Sequence, residues 1–199
     1  MIGKADRVDT NRVNDKTYVR IADYKIGNKT FTDSELDVGK DLQLPIYLFS
    51  LREMESCDFK DKLLNGTKEI IPAGFFYVPL NIGKSTSTFD ITKDVRTTLE
   101  NEKKTIEMAS AFKGRFLNDE DIISAQDVSI GGSLLPTSRS KSYISLEGFD
   151  EIYKKMTESI IAISNELYSG SALALPQEIS GKDACEYCEQ RAFCRRRQK

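Results

Sequence analysis

Nine residues, Pro72 to Leu80, read PAGFFYVPL without one charged side chain. An unbroken apolar run of this kind predicts a strand buried on both faces at the centre of a sheet. Such a strand needs neighbours, and the N-terminal third of the chain offers them. Ile2–Asp9 and Tyr18–Asp23 look like two shorter strands joined by a polar connection containing NRVNDK, a hairpin signal. From about Glu35 to Arg52 the apolar residues Leu36, Leu42, Leu44, Ile46, Tyr47, Leu48 and Leu51 predict a mostly buried helix, with Pro45 disturbing its middle or marking its first turn. Strands followed by a helix predict an α/β fold, a central mixed sheet flanked by helices.

Beyond the central strand the stretch NIGKSTSTFDIT turns away. Asp94 to about Phe116 predicts a charged amphipathic helix, LNDEDIISAQD a short acidic one, and GGSLLPTSRSKS a mobile loop. A short strand, Tyr143–Leu146, precedes a long helix from about Gly148 to Tyr168. In it Phe149, Ile152, Tyr153, Met156, Ile160, Ile163 and Leu167 recur at helical spacing, a stripe expected to be core. The 199 residues fit one domain, 1–199, in which 181–199 form a cysteine-containing tail. No apolar run approaches the roughly 20 residues of a spanning helix, and no signal-peptide core opens the chain, so no membrane partner and a cytoplasmic location are expected.

The sequence contains no histidine, which removes Ser-His and Cys-His nucleophilic catalysis, the His-dependent zinc hydrolases and the His/Cys deaminases. Carboxylate, Lys, Tyr and Cys chemistry remains. The formal charge of −2 advertises no nucleic acid at whole-chain level. Locally, Arg191, Arg195, Arg196, Arg197 and Lys199 form a basic tail that could meet phosphates, with a solvated terminus as the equal alternative. GKSTST at Gly83–Thr88 lacks the glycine a phosphate-binding loop needs five residues earlier, where Val78 stands, so ATP binding is rejected here.

The chemistry concentrates on the predicted hairpin. Its first strand carries Asp6; its second ends in Asp23-Tyr24-Lys25. Residues i and i+2 of a strand share a face, so Asp23 and Lys25 can address one reacting group. Two carboxylates on adjacent strands can share Mg²⁺ or Mn²⁺, which prefer oxygen ligands and keep several waters. Gln43 and Tyr47, at i and i+4, lie on one face of the helix that follows.

Taken together, GKADRVDT, VRIADYKIGNKTF, LQLPIYL, PAGFFYVPL and GRFLNDEDIISAQD resemble the PD-(D/E)XK nuclease superfamily in its RecB-like branch, and within it the C-terminal nuclease domains of AddB-type subunits of helicase-nucleases. The resemblance covers almost the whole chain. It implies that Asp6 and Asp23 are metal ligands with the main-chain carbonyl of Tyr24 as a third, that Lys25 orients a nucleophilic water, and that Gln43 and Tyr47 position the substrate strand. It implies a Mg²⁺- or Mn²⁺-dependent DNA exonuclease in end processing and recombinational repair, working with a helicase-nuclease partner subunit that, with other domains, would use the ATP. It also implies an acid or His from a helix upstream of the first strand, which nothing before Asp6 matches. The chain thus reads as a fragment, and the rival reading is a DNA-binding or scaffolding module without catalysis.

The tail DACEYCEQRAFCRRR holds Cys185, Cys188 and Cys194 in C-x₂-C-x₅-C, a spacing open to an iron-sulfur cluster or an all-Cys zinc site. The resemblance implies a [4Fe-4S] cluster on these three and a fourth, upstream cysteine. Free thiols or a Cys185–Cys188 disulfide are the alternatives. Cys57 is expected to be a buried, inert thiol. Nucleases of CRISPR spacer acquisition share the cysteine spacing, but GRFLNDEDIISAQD and the Asp-Tyr-Lys form speak against them.

Overall fold

The structure, a computed structural model, describes residues 3–27, 29–80, 111–119, 142–171, 178–179, 182–183, 185 and 188–194. Its frame is a five-stranded mixed sheet in the order β1-β2-β3-β4-β5, with β1 Arg7–Val13, β2 Lys16–Lys25, β3 Glu69–Pro79, β4 Lys113–Leu117 and β5 Tyr143–Ile144. β1 runs antiparallel to β2, β2 parallel to β3, β3 antiparallel to β4 and β4 parallel to β5. The predicted α/β architecture is present, and β3 is buried from Ile70 to Tyr77 at the sheet centre.

The hairpin is longer and tighter than expected. Gly3–Asp6 precede β1 instead of lying in it, Thr10, Asn11, Arg12 and Val13 continue it, and the turn is the pair Asn14-Asp15 between Val13 and its partner Lys16. Asn14 supplies the φ of 55° that so short a turn requires, which Asn tolerates better than most residues.

Between β2 and β3 the chain makes three helices: α1 Asp33–Asp37, α2 Gln43–Glu53 and α3 Asp58–Leu64. The single helix expected over Glu35–Arg52 is therefore divided. Gly39 at φ 74° and Asp41 at φ 53° leave the helical region, so the ladder cannot run through them. Pro45 falls in the first turn of α2, where its missing N–H is not needed. α3 has no counterpart in the sequence reading; its first residue follows Cys57, which is exposed rather than buried.

α1, α2 and the long α4, Leu146–Tyr168, cover one face of the sheet. There Val19, Ile21, Phe75, Leu44, Leu48 and Phe149 are fully buried, and Phe75 meets Phe31 and Phe149 edge-on. Side chains of this size each contribute about 1.5–3 kcal/mol by burial. The other face carries a smaller cluster of Ala22, Phe76, Phe112 and Phe116, with Phe76 stacked on both Phe112 and Phe116.

Three further expectations are corrected. Lys113–Phe116, placed at the end of an amphipathic helix, lie in β4 because Gly114 sits against Phe75 and Phe76, where a Cβ would come 2.6 Å from Phe76 Cα. Leu117 of the expected acidic helix also ends β4. Leu146 begins α4 instead of ending a strand, since Ser145 caps the helix by accepting from the Gly148 N–H at 3.3 Å. The apolar stripe of α4 is core only through Met156, with Tyr153 and Ile160 half-buried; Ile163 and Leu167 are 41% and 74% exposed. The body of the expected helix from Asp94, the turn after β3, most of LNDEDIISAQD and nearly all of GGSLLPTSRSKS lie outside the described residues. A two-stranded hairpin, β6 Glu178–Ile179 with β7 Lys182–Asp183, and a 3₁₀ turn, Glu189–Ala192, complete the described elements.

Candidate active site

β2 places its odd-numbered residues toward the helices: Val19 and Ile21 enter the main core, and Asp23 and Lys25 continue the same face at the strand's C-terminal end. Asp23 is 6% exposed. Its Oδ2 lies 2.7 Å from Lys25 Nζ, an ion pair in which the ammonium meets the buried oxygen. A buried carboxylate is costly unless a cation or donor meets it, and Lys25 supplies that cation here.

Asp6, just before β1, is exposed. Its Oδ2 accepts the Tyr24 N–H at 3.2 Å, which ties the acid to the backbone between Asp23 and Lys25. The antiparallel pairing puts Arg7 opposite Ala22, so Asp6 stands beside the end of β2 as the sequence predicts.

Gln43 and Tyr47 occupy one face of α2. Gln43 Nε2 donates weakly to the Tyr47 hydroxyl at 3.5 Å. Both line a cleft of about 530 Å³ whose walls include Gly3, Ala5, Ile21 and Met54. Gly3 touches Tyr47 so closely that a Cβ there would fall 2.6 Å from Tyr47 Cε1. Hairpin and helix thus meet through the residues just ahead of Asp6.

Three side chains beside the site carried no sequence signal. Tyr77 lies opposite Asp23 in the β2–β3 register and is buried on the same face. Burial, then the negative charges of Asp41, Asp23 and Glu35, push its phenol well above the usual range and keep it neutral. Asp41 is paired with Lys29, Oδ1 to Nζ 2.5 Å, and Lys29 Nζ stands 5.8 Å from the Tyr77 ring centroid.

On the far face Arg20 is 8% exposed, 5.9 Å from the Phe76 ring, with Nη1 unbonded; desolvation lowers its pKa, opposed by the charge of Asp9. Asp9 itself holds Arg7 through two bonds of 2.7 Å.

Asp6 and Asp23 suit a divalent cation by donor type, and a nearly buried Asp23 carboxylate beside an Asp6 carboxylate tied to the Tyr24 N–H is the observation that fits one. Among the described residues no group of three or more His, Cys, Asp or Glu is placed to hold a metal. That applies to the tail: Cys188 is exposed, Cys185 and Cys194 are half-buried, and the Cys188 N–H reaches the Cys185 carbonyl at a long 3.4 Å. The described geometry does not converge them on one centre. The basic tail from Arg195 and the side chain of Arg191 lie outside the described residues. Among those described, no helix is long and apolar enough to cross a membrane.

Comparison with known proteins agrees with this arrangement. Residues 1–195 match the PD-(D/E)XK nuclease superfamily. The chain is 30% identical over 209 residues to the B-type subunit of the ATP-dependent helicase/deoxyribonuclease of Clostridium acetobutylicum, covering 98% of this chain and 17% of that protein. The corresponding protein of Clostridium kluyveri is 32% identical over 208 residues, with 98% and 17% covered, and that of Alkaliphilus metalliredigens 30% over 203 residues, with 96% and 16%. The chain therefore spans only a small part of the length of these relatives. A strand-strand-helix site with paired acids and a lysine, and a family match over nearly every residue, lead to one assignment: the chain belongs to the PD-(D/E)XK nuclease superfamily.

Proposed function

We propose that this chain is a divalent-metal-dependent deoxyribonuclease module, an exonuclease acting at DNA ends in recombinational repair within a helicase-nuclease. The relatives named as helicase/deoxyribonuclease subunits support the substrate and the partner subunit. The observation that carries the reading is the nearly buried Asp23 carboxylate, 2.7 Å from Lys25 Nζ at the end of β2, with Asp6 tied to the Tyr24 N–H between them.

Asp6 and Asp23 would hold Mg²⁺ or Mn²⁺, with the Tyr24 carbonyl as a further oxygen. The ion, when bound, supplies a lowered water pKa and offsets charge on the phosphodiester. Lys25 orients the attacking water from the same face as Asp23. Gln43 and Tyr47 hold the substrate strand against the hairpin, and the covering of α1, α2 and α4 keeps solvent from the Asp23 side. The cysteine triplet, which the described residues do not bring to one centre, takes no part in this chemistry.

Digestion of end-labelled linear DNA with Mg²⁺, Mn²⁺ or EDTA tests the proposal, with Lys25→Ala beside the wild type. Digestion that needs the metal and falls by about 10²–10⁴ in the variant is expected. Digestion at equal rates by both proteins would sink the assignment. A second reading, DNA binding without cleavage, is favoured by the absence of a third acid beside Asp6 and Asp23 among the described residues. Its signature is retention of labelled DNA with no shortening.

A further inference from the structure

Asp41 sits at φ 53°, a region non-glycine residues enter at a steric penalty, although Asp is among the more tolerant. Its side chain is 10% exposed; Oδ1 pairs with Lys29, and the carboxylate also accepts a hydrogen bond from the Tyr77 phenol. A strained backbone at a nearly buried acid directs attention to what that acid holds in place.

The surroundings say which function. Lys29 follows β2 by four residues, and its ammonium stands 5.8 Å from the ring of Tyr77, the residue directly opposite Asp23. Asp23 is itself nearly buried, with Lys25 Nζ 2.7 Å from its Oδ2. A second ammonium, free on a four-carbon stem one strand away, would compete with any cation for that carboxylate and repel it.

We propose that Asp41 is a positioning residue of the nuclease site, which holds Lys29 in an ion pair and so leaves the Asp23 carboxylate open to a divalent cation. This rests on the reading of Asp23 as a cation ligand. Asp41 touches neither the reacting phosphate nor the ion; it acts through Lys29. The arrangement also joins the loop after β2 to the segment entering α2, so the acid pair and the Gln43–Tyr47 face keep a fixed relation.

The test is calorimetric titration of Mn²⁺ into the DNA-free protein, with thermal unfolding of the metal-free form, for wild type, Asp41→Asn, Lys29→Gln and the double variant. Asp41→Asn is expected to weaken Mn²⁺ binding about tenfold, and the double variant to return within about threefold of wild type because the freed ammonium is gone. A merely structural Asp41 would leave the double variant as weak as the single one or weaker, and that result overturns the proposal, as does unchanged Mn²⁺ binding in Asp41→Asn. A wild type that takes up no Mn²⁺ overturns the reading of Asp23 itself and this proposal with it. If Asp41→Asn does not fold, Asp41→Gly, which suits φ 53°, carries the same readout.

Discussion

Lys25 Nζ and Asp23 Oδ2 stand 2.7 Å apart on one face of β2, the acid nearly buried and the ammonium part-exposed. One substitution separates the stability of this pair from the chemistry proposed for it. Asp23→Asn keeps the shape and removes the buried charge. The metal-free protein is expected to melt at the same or a higher temperature, by up to about 1–3 kcal/mol of stability, while metal-dependent cleavage falls at least about 10²-fold. Thermal unfolding in EDTA and the end-labelled assay read the two effects. A variant that melts lower and cleaves normally would reverse the assignment of Asp23.

Gly3 makes a similarly specific prediction for α2. Because a Cβ at residue 3 would meet the Tyr47 ring at 2.6 Å, Gly3→Ala is expected to push that ring aside without disturbing the core. Cleavage should fall several-fold, mainly through weaker substrate binding, with the melting temperature within about 0.5 kcal/mol of wild-type stability. Comparing KM and kcat for a short labelled oligonucleotide checks it.

Gly114 tests the sheet instead of the site. An added methyl would run into the Phe75 carbonyl and the Phe76 backbone, where nothing flexible can yield. Gly114→Ala is expected to destabilise the chain by about 3 kcal/mol or more and to release β4 from β3. Denaturant unfolding and amide exchange at Phe116 would show both.

Tyr77 adds a pH dependence. Its native phenol keeps the proton to higher pH than the unfolded chain, whose tyrosine ionises near 10. The native state therefore binds more protons above that pH, and its stability, fully present below about pH 10, is lost as pH rises toward the raised native value. Tyr77→Phe is expected to flatten this alkaline fall. Urea midpoints between about pH 8 and 11 measure it; an unchanged slope in the variant would show that other groups carry it.

What the sequence disclosed follows the range of each signal. The doubly buried strand, the hairpin acids, the Asp-x-Lys pair and the Gln43–Tyr47 face depend on local period and spacing, and each was legible. The Asn14 turn was local too, but the polarity of NRVNDK concealed that it continues a strand. The helix break at Gly39 and Asp41 depends on backbone φ, which composition does not display. Lys113–Phe116 read as the end of the charged amphipathic stretch from Asp94; the deciding fact, the close approach of Gly114 to β3, is made by residues nearly forty positions away. The Lys29–Asp41–Tyr77 group joins three separate segments and leaves no periodic trace in any of them.

The parallel pairing of β2 with β3 has a consequence for how this site comes into being. Asp6, Asp23 and Lys25 meet through a two-residue turn, so their loop is short and closes early and cheaply. The partner that buries Asp23 arrives only after three helices, in a contact that Asp23 makes with Tyr77 across 54 positions of chain, 77 − 23. The spacing of the two acids is thus a local property of the polypeptide, whereas the burial of Asp23 depends on a long-range contact. A nascent or partly opened chain would hold Asp23 in solvent, and only the closed sheet would bury it.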